Sequence, residues 1–119
     1  MPARLRLASP AEVTAALAAS PRTEEQTRLL VKHFMAVLEA RAPGRSVEVR
    51  VPPYAAVQAV EGVRHTRGTP PAVVETDAET WLDLAVGALT FADAERAGRL
   101  RASGERADLT AYLPLLEDL

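Results

Sequence analysis

Two histidines, His33 and His65, are the only imidazoles in this chain of 119 residues, and cysteine is absent. Without a thiol, disulfides, zinc thiolate sites, cysteine nucleophiles and thiol redox chemistry are excluded, leaving oxygen and nitrogen chemistry. His65 stands in Arg64-His65-Thr66-Arg67-Gly68-Thr69-Pro70-Pro71, where Thr66 and Thr69 offer hydroxyls to activate and Arg64 and Arg67 offer cations to an anion. A histidine in a polar loop is ordinarily solvated or hydrogen-bonded, so this stretch is the weaker expectation, an enzyme or anion site. His33 reads as a helix surface residue, and histidines in separate elements make no metal cluster. Glu75, Asp77, Glu79 and Asp83 are material for acid–base work or for a hard cation. The simpler reading puts Asp77 and Glu79 in the first turn of a helix, where negative charge complements the dipole, and no EF-hand spacing frames them.

Charge is distributed unevenly around these groups. Residues 41–70 carry five arginines against Glu48 and Glu61, and residues 75–95 carry six acids and no base. Such polarity steers an anionic partner or orients the domain against another protein, or is merely solvated. The whole chain has a formal charge of -2, so no global field collects a polyanion. Nucleic acid is therefore not an expected partner, because the few aromatics (Phe34, Tyr54, Trp81, Phe91, Tyr112) build no stacking platform. Gly62 and Gly68 lack the spacing of either nucleotide-binding fingerprint, and no cofactor is expected.

The positioning elements follow from periodicity and caps. With 48% apolar and 25% charged residues, the composition is that of one domain spanning residues 1–119, with helices in 9–42 and a sheet with further helices in 45–119. No apolar run approaches the ~20 residues that span a bilayer or forms a leader in residues 1–7, so a cytoplasmic location is the expectation. Ser9-Pro10-Ala11-Glu12 predicts a helix over 10–19, and a second begins at 21–24, with Ser20-Pro21 and Thr23/Gln26 as rival starts. Leu30, Phe34, Val37 and Leu38 form its apolar stripe, and Pro43-Gly44 ends it. Val47, Val49 and Val51 alternate with Glu48 and Arg50 in a half-buried strand, followed after Pro52-Pro53 by a strand over 54–60. A strand through Val73 and Val74 leads to Thr76-Asp77-Ala78-Glu79, read as a capping box for a helix that Gly87 ends. Thr90 caps a short helix, with Asp93 completing the same reciprocal pattern, before a strand at Leu100 and Ala102. Leu109, Leu113 and Leu116 anchor an expected terminal helix.

The run Glu75-Thr76-Asp77-Ala78-Glu79-Thr80-Trp81-Leu82-Asp83-Leu84-Ala85-Val86-Gly87, then Leu89-Thr90-Phe91-Ala92-Asp93-Ala94 and Gly98-Arg99-Leu100-Arg101-Ala102-Ser103-Gly104, resembles the C-terminal half of sterol-carrier-protein-type domains. Val57-Gln58-Ala59-Val60-Glu61-Gly62 and His65-Thr66-Arg67-Gly68-Thr69-Pro70-Pro71 look closest to the actinobacterial sterol-carrier-like proteins. The resemblance covers roughly residues 45–119. It implies an α+β fold: a small, curved, mainly antiparallel sheet covered on one face by helices, with an apolar cavity between the layers for a lipid and no catalytic residue. On this chain the implied ligand-binding positions are Trp81, Leu84, Leu89 and Phe91, with Leu113 and Leu116 as a lid and Arg64 and Arg67 near the mouth. Core packing is the competing role for the apolar six. Function is thus expected to be non-enzymatic: a carrier or binding domain for an apolar or amphipathic small molecule such as a lipid. The alternative is a protein-interaction domain on the same scaffold with its cavity filled, its partner another protein or a second copy.

Overall fold

The computed structural model of the chain describes residues 5–62, 72–104 and 107–116. Ser9 opens helix α1 (Pro10–Ala18) with a reciprocal cap: its hydroxyl accepts the Glu12 amide and its amide donates to the Glu12 carboxylate, both at 3.2 Å. Of the two rival starts for the next helix, Thr23 wins. Its hydroxyl accepts from the Gln26 amide at 3.1 Å and its amide donates to the Gln26 side chain at 2.9 Å, opening α2 (Glu24–Arg41). Satisfying two orphan donors at once outweighs the first-turn preference of Pro21.

Four strands follow in spatial order β2–β1–β3–β4: β1 (Val47–Val51), β2 (Ala55–Ala59), β3 (Ala72–Thr76) and β4 (Leu100–Ser103). β1 pairs antiparallel with β2 and parallel with β3, and β3 pairs antiparallel with β4. The parallel centre makes the sheet mixed. Valines at alternate positions of β1, with Val57, Ala59, Ala72, Val74 and Leu100, are buried on one face. On the other, Arg50, Ala56, Gln58, Arg101 and Ser103 are exposed, with Glu48 and Glu75 half-buried. The two-residue period has therefore done the sorting, and each valine buried contributes roughly 1.5 kcal/mol or more.

Helix α2 lies against β2, α1 packs on α2, α3 (Ala78–Val86) packs on α2, and α4 (Phe91–Arg96) packs on β4. The result is the expected α+β architecture, with helices over one face of a small sheet. A knot of hydrogen bonds ties the start of β1 to the end of β2 and the start of β3. The Val60 carbonyl accepts from the Ser46 amide at 3.0 Å and the Ser46 hydroxyl at 2.6 Å, and the Ser46 carbonyl accepts the Ala72 amide at 3.1 Å. Gly44 runs so close that a Cβ there would sit 2.2 Å from the Val60 oxygen, so only glycine fits.

Three local expectations are corrected. The cap of α3 is Asp77, which accepts the Thr80 amide at 3.3 Å; Thr76 completes β3 and gives its hydroxyl to the Arg99 carbonyl at 2.9 Å. Thr90 does cap α4, accepting the Asp93 amide at 3.1 Å, but the Asp93 carboxylate binds Arg96 at 2.8 Å. Aspartate is one methylene shorter than the glutamate or glutamine of a full capping box. The terminal helix is only a 3-10 turn, Thr110–Tyr112, after which Leu113 is extended at φ -102°, ψ 149°. Pro114 is the reason, since it excludes the preceding residue from helical geometry and has no amide to give. Leu109 and Leu115 are the buried anchors of this segment, while Leu113 and Leu116 are half-buried.

Candidate functional site

The space between the helices and the valine-bearing sheet is filled. Leu30, Phe34, Leu38, Val47, Val49, Val51 and Trp81 are each 0% exposed, and Val74 and Leu84 are 1% exposed. A side chain bordering an enclosed void large enough for water would expose area to it, so no such void lies between the layers at the β1 valines and Trp81. Among the described residues, the implied interlayer cavity is not seen at these positions, and the cause is energetic. An empty volume of 300 Å³ would cost roughly 7 kcal/mol at the measured cavity rate, comparable with the whole stability of a small domain.

Trp81 belongs to this solid interior, its ring N–H donating to the Val31 carbonyl at 3.2 Å. Leu84, Leu89, Phe91 and Leu113 do come together. With Gly87, Thr90, Thr110 and Pro114 they line a pocket of about 140 Å³ where α3 ends, α4 begins and the C-terminal segment passes. This pocket is small for a lipid, since ligand sites usually span ~300–1,000 Å³. Leu116 lies elsewhere, beside Leu115. Arg64, His65 and Arg67 lie outside the described residues.

A larger depression runs along the outer side of α2. It has a volume of about 540 Å³ and is lined by Leu7, Ala8, Pro10 and Val13 from the N-terminal segment and α1, by His33, Phe34, Val37, Ala40 and Arg41 from α2, and by Leu115 and Leu116. Of these, only His33 and Arg41 carry polar side-chain atoms, and each holds backbone. The Ala8 amide donates to His33 Nδ1 at 2.9 Å. Arg41 donates to the carbonyls of Tyr112 at 3.1 Å, Pro114 at 2.8 Å and Leu115 at 3.4 Å. His33 is thus a half-buried clasp and not simply a surface residue, and burial lowers its pKa below the ordinary 6.5. The ring also meets Phe34 edge to face, centroids 5.1 Å apart.

The sequence reading missed this groove. Its signal was present on α2, because His33 and Ala40 recur at helical spacing along the edge of the Leu30, Phe34, Val37 and Leu38 stripe, next to Val37. What covers that face comes from residues 7–13 and 115–116, which no local pattern joins to α2.

Two acids of the acidic run, Asp77 and Asp83, are engaged in structural contacts. Asp77 is a cap; burial pushes its pKa up, but the Thr80 hydroxyl and amide and the charge of Arg99 prevail and hold it below the ordinary range. Asp83 accepts from Arg99 at 2.9 Å, and Arg99 also reaches the Thr80 hydroxyl at 3.2 Å. Among the described residues, no group of three or more His, Asp or Glu side chains is placed to hold a metal ion. The polarity between residues 41–70 and 75–95 is partly folded together, because the parallel register sets Arg50 beside Glu75, and Glu75 faces Arg101 across β3–β4. Arg50 also bonds Glu48 in its own strand, and that bond and charge raise its pKa further.

Among the described residues, no helix is long and apolar enough to cross a membrane. A search among curated proteins finds no match. A family model described as bacterial SCP ortholog matches residues 22–115, a span that takes in α2 as well as the sheet and the later helices. The filled α+β sandwich, its glycine-ended α3 and this match over most of its length make the chain a member of that family of sterol-carrier-type domains.

Proposed function

We propose that the protein is a non-enzymatic binding domain for an apolar or amphipathic small molecule, seated in the groove on the outer side of α2. The observation that carries this reading is the groove itself, about 540 Å³ with an almost wholly apolar lining. That volume falls in the range of small-molecule sites. Membership of a sterol-carrier-type family supports the ligand class. The non-enzymatic part rests on the commitments of His33 and Arg41, whose hydrogen bonds go to backbone groups and fasten the walls.

Native mass spectrometry of the purified protein, with titration of an uncharged naphthylamine fluorophore, tests the proposal. Saturable binding is expected, and Ala40→Trp, which fills the groove from an exposed helix position, should weaken it by about tenfold, the effect of losing roughly 1.4 kcal/mol. Absence of saturable binding, or binding indifferent to Ala40→Trp, rejects it.

A second reading is favoured by the solid interior. A filled layer interface leaves no interior seat at these residues, and the outer groove then receives an apolar side chain of a protein partner. That reading expects one stoichiometric partner whose affinity falls with Ala40→Trp while no small molecule saturates the groove.

A further inference from the structure

Residues 5–8 form a strap laid across the outer side of α2. Leu7 and Ala8 line the 540 Å³ groove on one side of it and a second depression of about 700 Å³ on the other. The strap is thus the wall between two hollows on one helix. Leu5 and Ala8 pack on the core only in part, and Leu7 is 61% exposed, so little apolar burial holds the strap down. Its one side-chain anchor to α2 among the described contacts is the bond from the Ala8 amide to His33 Nδ1.

The chemistry of that bond is conditional. Nδ1 accepts only while it carries no proton, which fixes the neutral tautomer with hydrogen on Nε2. When Nδ1 is protonated both ring nitrogens become donors, and the Ala8 amide faces a donor in place of an acceptor. We propose that His33 is an acid-released clasp: in its neutral form it holds the strap and keeps the apolar groove apart from the second, largely charged hollow, and its protonation frees the strap and joins them into one larger site. This regulation rests on the ligand seat proposed above, although strap release is measurable without any ligand.

The surroundings favour the neutral form at pH 7. Burial disfavours the cation. The charged groups lining the two hollows are Lys32, Arg28 and Arg41 from α2 and Arg6 from the strap, against Glu25 of α2 and Glu12 of α1; the Glu12 carboxylate is engaged by the Ser9 amide, and Arg28 pairs with Glu24 at 3.8 Å. The C-terminal segment contributes Leu115 and Leu116 to this side among the described residues, both apolar. Partial burial of the imidazole opposes its protonation, so the clasp opens only below the ordinary histidine value.

The absence of cysteine makes the experiment direct, because Leu7→Cys supplies a single labelling site on the strap. With an environment-sensitive dye there, emission of the otherwise wild-type protein should change on acidification with a midpoint below 6.5, the ordinary histidine value. His33→Asn keeps an acceptor near the Nδ1 position but cannot titrate, so its emission should stay at the closed value throughout. His33→Leu has no acceptor and should give the released emission at every pH, with circular dichroism confirming that the helices persist. The same transition in His33→Asn, or a closed signal in His33→Leu, overturns the clasp. Affinity for the uncharged fluorophore N-phenyl-1-naphthylamine should rise by about threefold or more across the transition, as expected when a closed state is depopulated. Strap release with unchanged fluorophore affinity rejects the joining of the hollows. Strap release without any saturable binding leaves the clasp standing and removes the small-molecule reading.

Discussion

Asp77 shows how one side chain settles competing interpretations. Its carboxylate accepts the Thr80 amide at 3.3 Å and the Thr80 hydroxyl at 2.5 Å, so it is spent on the start of α3. Asp77→Ala should cost about 1 kcal/mol, the usual value of a helix cap, in denaturant melts at pH 7. The pH dependence has a definite sign. The folded pKa lies below the ordinary 3.8, so the carboxylate's contribution is complete above that value and is lost as pH falls through the folded one. The gap between wild type and Asp77→Ala should therefore shrink in melts repeated near pH 3. A gap that stays constant would show that the charge is irrelevant to the cap. His33 follows the same direction for a different reason: its pKa is lowered by burial, so its stabilising contribution is complete above 6.5 and disappears as pH falls through the folded value.

Among the elements, the C-terminal segment differs most from its sequence-based expectation. The leucine spacing of 109, 113 and 116 looks helical, and Pro114 overrides it. Extended beyond the turn, the segment docks by backbone bonds, with the amides of Leu115 and Leu116 donating to the Ala85 carbonyl at 2.8 and 2.9 Å. Arg41 grips the other side through three carbonyls. Charged hydrogen bonds are worth more than neutral ones, and solvent around this exposed guanidinium reduces the gain. Arg41→Ala should then destabilise by about 1–2 kcal/mol and speed amide exchange at Leu115 and Leu116 ahead of the sheet. Exchange at those amides that still matches the sheet would remove the clamp from the account. The strands and first two helices were legible because each carries its own evidence, a two-residue period or a reciprocal cap. Asp93 was misread because a capping pattern written in letters does not measure the length of the acid.

For the molecule as a whole, the decisive feature is where free volume lies. Trp81, the only tryptophan, is fully buried in the filled interface between α2, α3 and the sheet, away from the outer groove. It is therefore a reporter of ligand position. Its emission should be blue-shifted and resistant to acrylamide in the folded protein, and should change little when the outer groove is occupied. A pronounced ligand-induced shift of Trp81 emission would place the ligand between the layers and contradict the seat proposed on α2.

Composition, alternation and capping were enough to name the class of fold, to order its helices and strands and to identify which face of β1 is buried, because each of these depends on neighbours within a turn or two of the chain. The resemblance carried by residues 75–104 pointed to the family for the same reason, as its signals are contiguous. The ligand seat proposed on α2 was beyond such reading. Leu84, Leu89 and Phe91 are apolar whether they line a void or fill one, and only packing against α2 and the sheet distinguishes the two. The groove likewise needs Ala8, His33 and Leu115 side by side, residues separated by most of the chain and brought together by the docking of two terminal segments on one helix. Long-range packing supplies that contact, and no period in the sequence encodes it.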